Sequence, residues 1–324
     1  MQTSQLILAI DGGQTSTGIW LLSKCREYSG YRQTRGFQYT TENSGVTSPL
    51  SQTESIIAAI NELVAEGSFT LADIVAVSCS FSGHPPGLGA YLRSLPQAQI
   101  HVMEDSEAAY LGSLWHDPGV SLISGTGTVA LASDGERRKI IGGWGYLFGD
   151  FGGAWGIVRQ AVTRAAYASE GLSPPTQLEN ALLEHFQVKS FRTLIWDLYE
   201  GRRQRHQFGS AAPLVLHLAE AGDTAAKEVV HEAARELAGY VLAGMRQMRL
   251  ASPVALGYAG GVLVGSAYLR SQITVLLREQ QVEVKAWLRG SAIAGSALKA
   301  LEMSGIGITP QIRQDMAALA GNLK

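Results

Sequence analysis

An α/β chain of two similar halves, each a mixed sheet flanked by helices, is what the sequence predicts. Three observations carry this. A trio of strand-like runs with a glycine-rich first turn occurs twice, once from residue 6 and again from residue 120. Each trio leads into alternating helical and strand-like segments. The length, 324 residues, suits about two domains. No linker rich in Pro, Ser or charge separates the halves. The turn Asp117-Pro118-Gly119 offers the boundary, giving domains of 1–118 and 119–324.

The elements follow in order. Residues 6–10 are apolar and stop at Asp11-Gly12-Gly13, and 18–22 form a second run. Together they predict a hairpin whose turn runs from Asp11 to Thr17. The stretch up to Gly36 is a third strand. In 51–66, Ile56, Ile57, Ile60, Leu63 and Val64 share one helical face. Residues 73–80 and 99–103 read as strands, and 105–114 as a helix with an acid at its start. The second half repeats this. Residues 120–124 end at Gly125-Thr126-Gly127, 128–132 follow, and Ser133-Asp134-Gly135 turns the chain into 138–141. A helical insert fills 153–249. Its longest helix, 227–248, carries Val230, Ala234, Leu237, Val241 and Met245 on one stripe. Strand 254–259, helix 262–278, strand 282–286 and helix 291–303 complete the half. A last helix at 310–323 has the first domain as a candidate packing surface.

Composition removes several functions. There are 26 Lys+Arg against 28 Asp+Glu, so no electrostatic pull toward nucleic acid or an anionic membrane is expected. Cys25 and Cys79 cannot build a disulfide framework or a four-thiolate zinc site, and they suit a reducing cytoplasm. Residues 1–5 carry no positive charge and the apolar run after them meets Asp11 at once, which argues against a signal peptide. The uncharged stretch 250–269 is long enough to span a bilayer, but Pro253, Gly257, Gly260, Gly261 and Gly265 punctuate it as strand, turn and helix start.

Three motifs carry chemistry. In Asp11-Gly12-Gly13-Gln14-Thr15-Ser16-Thr17, glycines let the backbone turn sharply near a ligand. Successive N–H groups with the hydroxyls of Thr15 and Ser16 suit phosphate oxygens. Asp11 could hold Mg²⁺ through water. An ordinary Asp-Gly hairpin turn is the plain alternative. Ser124-Gly125-Thr126-Gly127-Thr128 imitates a dinucleotide fingerprint, yet a hairpin turn follows at 133–135 instead of a helix, so that reading fails. No G-x-x-x-x-G-K-[ST] run is present. The third motif, Gly257-Tyr258-Ala259-Gly260-Gly261, would let a flat base lie against bare backbone at Gly260 and Gly261. If the halves face each other, both turns grip one nucleotide in a cleft between them.

These motifs resemble the phosphate-1, phosphate-2 and adenosine motifs of the actin, sugar-kinase and heat-shock-70 superfamily, whose domains are ribonuclease-H-like. The run Gly142-Gly143-Trp144-Gly145-Tyr146-Leu147-Phe148-Gly149-Asp150 is similar to the signature of its N-acetylglucosamine kinase branch. That branch, of the BadF/BadG/BcrA/BcrD type, also holds glucosamine kinases and ATPase activators of acyl-CoA reductases and dehydratases. The resemblance implies ATP and Mg²⁺ as cofactors, a small sugar as substrate, a homodimer, and phosphorylation of N-acetylglucosamine or glucosamine at O6. It implies Asp105, after the strand 99–103, as the base that takes the sugar hydroxyl's proton; a helix N-cap is the plain alternative. It implies Thr41, Asn43, Ser82, Gly83, Gly143 and Asp150 around the sugar. Trp144 fits core or site equally. The branch's Gly-Asp-Glu-Gly is here Gly149-Asp150-Phe151-Gly152, one carboxylate short, and Gln14 stands where a third glycine is usual. An ATPase activator, or a sugar-sensing relative with weak or no kinase activity, is the alternative.

Overall fold

The computed structural model describes residues 5–13, 16–36, 49–81 and 87–323, with the backbone alone at 49–51. It divides into two compact units, Met1–Trp115 with Gly290–Lys324, and His116–Arg289.

The first unit holds β1 (Leu6–Gly12), β2 (Ser16–Ser23), β3 (Ser29–Arg35), β4 (Ile74–Phe81) and β5 (Gln99–Glu104), in the order β3-β2-β1-β4-β5. The first three strands are antiparallel, and β4 and β5 run parallel to β1. Leu6, Leu8 and Ile10 pack on Ile56, Ile60 and Leu63 of the helix Pro49–Glu66. Ile7 and Ala9 point the other way, toward Ala108 and Leu111 of the helix Asp105–Ser113 and Ile293, Ala297 and Leu298 of the helix Ala292–Met303. A strand covered on both faces needs apolar residues at every position, which is why β1 reads as an unbroken run.

The second unit holds β6 (Gly119–Ser124), β7 (Thr128–Ser133), β8 (Arg138–Gly142), β9 (Val254–Ala259) and β10 (Val284–Arg289), in the order β8-β7-β6-β9-β10. Counted within its own unit, each sheet has the same strand order and the same directions. The stripe Val230, Ala234, Leu237, Val241 and Met245 is buried along the helix Thr224–Met248. It shares a core with Val120, Leu122, Ala130, Ala132 and Leu256 of the sheet.

Several expectations change. Residues 119–324 do not form one domain, because 290–324 joins the first unit. The apolar side of the helix Ala292–Met303, together with Met316 of the helix Pro310–Gly321, closes the core on Ile7 and Ala9. The single helix expected at 262–278 is two, Gly261–Gly265 and Ala267–Glu279. Ser266 lies between them in an extended conformation and its Oγ accepts the Leu269 N–H at 3.0 Å, an N-cap that starts a new helix. The strand expected at 282–286 is Val284–Arg289. Short helices at Leu88–Arg93 and Gly145–Phe148 have too few turns to leave a periodic signal. Among the described residues no helix is long and apolar enough to cross a membrane.

Candidate active site

In the first unit the acids converge where the central strands end. Asp11 stands one residue before the end of β1, beside Ser80 of β4, whose Oγ donates to Asp11 Oδ1 at 2.9 Å. Ser296, from the segment that returns to this unit, lies 3.3 Å from Ser80 Oγ and 3.4 Å from the Ile10 carbonyl. Burial, aided by the charge of Asp105, pushes the Asp11 carboxyl up to about 6, against the opposing Ser80 bond. Asp105 opens the helix Asp105–Ser113 directly after β5, and the N-cap position falls to Glu104, whose side chain makes no capping bond. Asp105 therefore sits where the helix dipole favours a carboxylate without being the cap. After Asp11 the hairpin closes through Gly13 N–H to the Ser16 carbonyl at 3.0 Å. Tyr31 of β3 lies over Gly18, and its hydroxyl is held protonated to higher pH by burial and by the Asp11 charge. Among the described residues no cluster of three or more His, Cys, Asp or Glu could hold a metal. Asp11 offers a hard oxygen donor of the kind that suits magnesium kept largely hydrated.

In the second unit the turn between β6 and β7 is tied down from several sides. Gly125 N–H donates to the Gly127 carbonyl at 3.0 Å, Ala154 N–H to the Gly125 carbonyl at 2.8 Å and Trp155 N–H to the Thr126 carbonyl at 3.2 Å. Ser124 Oγ donates to the Gly152 carbonyl at 2.7 Å. Asp150, with a left-handed φ of 63°, tucks its carboxylate under the turn. Its Oδ1 accepts the Thr128 N–H at 2.8 Å, and a side chain at Gly127 would overlap it. Arg205 reaches Asp150 Oδ2 at 3.5 Å and stacks over Tyr146 at 4.2 Å. Gly260 meets the turn from β9. A Cβ there would stand 2.3 Å from the Ser124 carbonyl, so only glycine fits, while nothing among the described residues lies within 4 Å of the side-chain direction at Gly261. Bare backbone beside a Gly-Thr-Gly turn is the cradle a nucleotide requires.

The first unit thus brings together Asp11, Gly12, Gly13, Ser16 and Asp105, and the second Gly125, Thr126, Gly127, Gly143, Asp150, Gly260 and Gly261. Gly143 joins its group through N–H to the Thr128 carbonyl at 3.2 Å. Gln14, Thr15, Thr41, Asn43, Ser82 and Gly83 lie outside the described residues. Trp144 is not core; it is 74% exposed.

The sequence profile of the BadF/BadG/BcrA/BcrD ATPase family matches residues 8–297. The chain belongs to that family. Among its relatives, an N-acetylmuramic acid/N-acetylglucosamine kinase of Clostridium acetobutylicum is 30% identical over 197 residues, 60% of this chain and 64% of that protein. An N-acetyl-D-glucosamine kinase of Dictyostelium discoideum is 30% identical over 147 residues, 44% of this chain and 46% of that protein. The alignments therefore span less than two thirds of either relative. A Chromobacterium violaceum structure, of a protein proposed to be an N-acetylglucosamine kinase, superposes with a TM-score of 0.68 at 20% identity, covering 93% of this chain and 99% of that one. That likeness establishes the fold that the two chains share.

Two features of this ATPase-family chain escaped sequence reasoning. Ser296 reaches the Asp11 site from the far end of the chain, and a lone serine in an alanine-rich helix gives no signal. Glu236, on the long helix, brings a carboxylate to the backbone N–H groups of Phe151 and Gly152, beside the position where the family signature has an acid. An i,i+4 pair of Glu and Tyr reads as a solvated helix face until the fold is known.

Proposed function

We propose that the chain is an ATP-dependent kinase that phosphorylates an amino sugar, N-acetylglucosamine or glucosamine, at the 6-hydroxyl. The observation that carries this reading is the acid pair of the first unit. Asp105 opens a helix next to Asp11, whose proton affinity burial and Asp105 have raised. A base for a sugar hydroxyl must stand close to a phosphate-binding element, and Asp105, beside Asp11 at the end of the first hairpin's strand, does so. The names carried by the relatives support an amino sugar as acceptor.

In this reading the second unit binds the nucleotide. The turn at 125–127 offers N–H groups to phosphates, and Gly260 and Gly261 offer bare backbone to the base. Ser16, Gly12 and Gly13 of the first hairpin, with Gln14 and Thr15, serve the phosphates too. Gly143 and Asp150, with Thr41, Asn43, Ser82 and Gly83, serve the sugar. Asp11 would hold Mg²⁺ through water, and the ion, when bound, neutralises phosphate charge. The protein's own part is to hold the hydroxyl, accept its proton at an Asp105 oxygen and keep water away, since phosphoryl transfer asks mainly for positioning and charge stabilisation. A cytoplasmic homodimer completes the proposal.

Turnover on a panel of hexoses and hexosamines with Mg-ATP tests it. Sugar-dependent release of ADP, fastest with an amino sugar, is expected. ATP hydrolysis that ignores sugar and needs a protein partner would transfer the chain to the activator reading. Sugar binding without turnover would make it a sensor.

A further inference from the structure

The segment from Gly142 to Gly152 holds two of the sugar-side candidates, Gly143 and Asp150, yet it does not fix its own shape. Its large apolar side chains face outward: Trp144 is 74% exposed, Leu147 68% and Phe148 81%. Its backbone takes left-handed φ angles at Gly142, Gly143, Gly145 and Asp150. A segment with little of its own surface buried, and with an aspartate in a conformation that L residues avoid, must be held from outside.

One stretch of the helix Thr224–Met248 does this at both ends. At the front end the Tyr240 ring packs so closely on Gly142 that a Cβ there would lie 2.6 Å from it. At the back end a Cβ on Gly152 would lie 2.8 Å from Leu237 Cγ. Glu236 sits one helical turn before Tyr240. Its Oε1 accepts the Tyr240 hydroxyl at 2.6 Å. The N–H groups of Phe151 and Gly152 also point at this carboxylate. Neither closes to a short bond on the enclosed Oε2. The same two residues therefore meet each other and both ends of the segment. The ion pairs of Arg164 with Glu228 and Glu232 lie elsewhere on that helix, at 3.3 and 2.8 Å.

We propose that Glu236 and Tyr240 are positioning residues that clamp the two ends of segment 142–152 and so set Gly143 and Asp150 for the sugar. Neither touches the reacting atoms. The inference rests on the kinase reading for its link to sugar, while the clamp itself can be read without activity.

Hydrogen exchange on the whole chain is the first measurement. Glu236→Gln replaces one carboxylate oxygen with an amide that cannot accept, and exchange across 142–152 should rise by about tenfold or more, because local opening there loses its anchor. Glu232→Gln, on the neighbouring turn, should leave that segment unchanged. Kinetics are the second. Glu236→Gln should raise KM for the sugar roughly 10- to 100-fold, as small misplacements of binding groups do, with kcat and KM for ATP within about threefold. Tyr240→Phe keeps the ring on Gly142 and loses only the hydroxyl, so it should give a smaller rise in the same KM. It also serves if Glu236→Gln fails to fold. Unchanged exchange in 142–152 for both variants overturns the clamp. Faster exchange with unchanged sugar KM, or with kcat and both KM values altered alike, overturns the link to sugar. A wild type without sugar-dependent turnover overturns the kinase reading instead, and exchange still decides the clamp.

Discussion

The two units share one sheet topology and put it to different chemical use. In both, an antiparallel trio feeds two parallel strands, and the first hairpin turn falls at the end of the strand that both neighbours pair with. In the first unit that turn carries ionisable groups, Asp11 with Asp105 nearby, and the backbone bond from Gly13 to Ser16 closes it. In the second it carries no acid of its own and is braced by Ser124, Asp150, Ala154 and Trp155. Part of the brace, Ala154 and Trp155, comes from the first helix of the insert that follows β8. Topology fixes where a turn stands, and the segments added around it decide whether it is a chemical group or a rigid mould.

That contrast can be broken by substitution. The largest effect on stability is expected at Gly260. Alanine there would strike the Ser124 carbonyl at 2.3 Å in a backbone with φ of 85°, costing about 3 kcal/mol in a urea unfolding experiment and weakening nucleotide binding. Gly13→Ala in the other turn meets nothing among the described residues closer than 3.4 Å, the Ser16 carbonyl, and should cost less than about 1 kcal/mol.

The next effect tests the ionisable side. The Asp11 carboxyl is raised from 3.8 to about 6. The folded chain thus keeps a proton that the unfolded chain releases, and stability falls as pH rises through the window from about 4 to 6. The full penalty above that window is roughly 2–3 kcal/mol. Asp11→Asn removes the charge and retains an acceptor for Ser80. It should raise the melting temperature at pH 8 and leave it nearly unchanged at pH 4, while abolishing turnover. An equal rise at both pH values would mean that ionisation is not the cause.

Smaller effects sharpen the picture of the brace. Ser124→Ala deletes a buried bond of 2.7 Å to the Gly152 carbonyl and should cost about 1–2 kcal/mol. Arg164→Ala deletes exposed ion pairs on the same helical insert and should cost less than about 1 kcal/mol.

Much of this was legible in the sequence. Strands covered on both faces announce themselves as apolar runs, so β1, β4, β6 and β9 are plain, and the long helix shows its stripe. The last helix had the first domain as a candidate surface, but the return of the helix Ala292–Met303 to the first unit was not legible. An apolar face on Ile293, Ala297 and Leu298 says that a partner exists, not which of two sheets supplies it. The break at Ser266 is a single capping hydroxyl inside an otherwise helical pattern. Of the candidate site, the two turns and Asp11 were read from local sequence, while Asp105 was named through the family resemblance. The acceptor Glu236, the brace at Arg205 and the contact from Ser296 depend on long-range packing, and each is one residue without a motif around it.

The most direct measurement compares wild type with Asp105→Asn, mixing N-acetylglucosamine, Mg-ATP and protein and following the sugar product by phosphorus NMR. Wild type should yield a 6-phosphorylated amino sugar, and Asp105→Asn should do so at least about a hundredfold more slowly with nucleotide binding intact. Equal rates for the two proteins would contradict the assignment of the base, and no phosphorylated amino sugar from wild type would contradict the account as a whole.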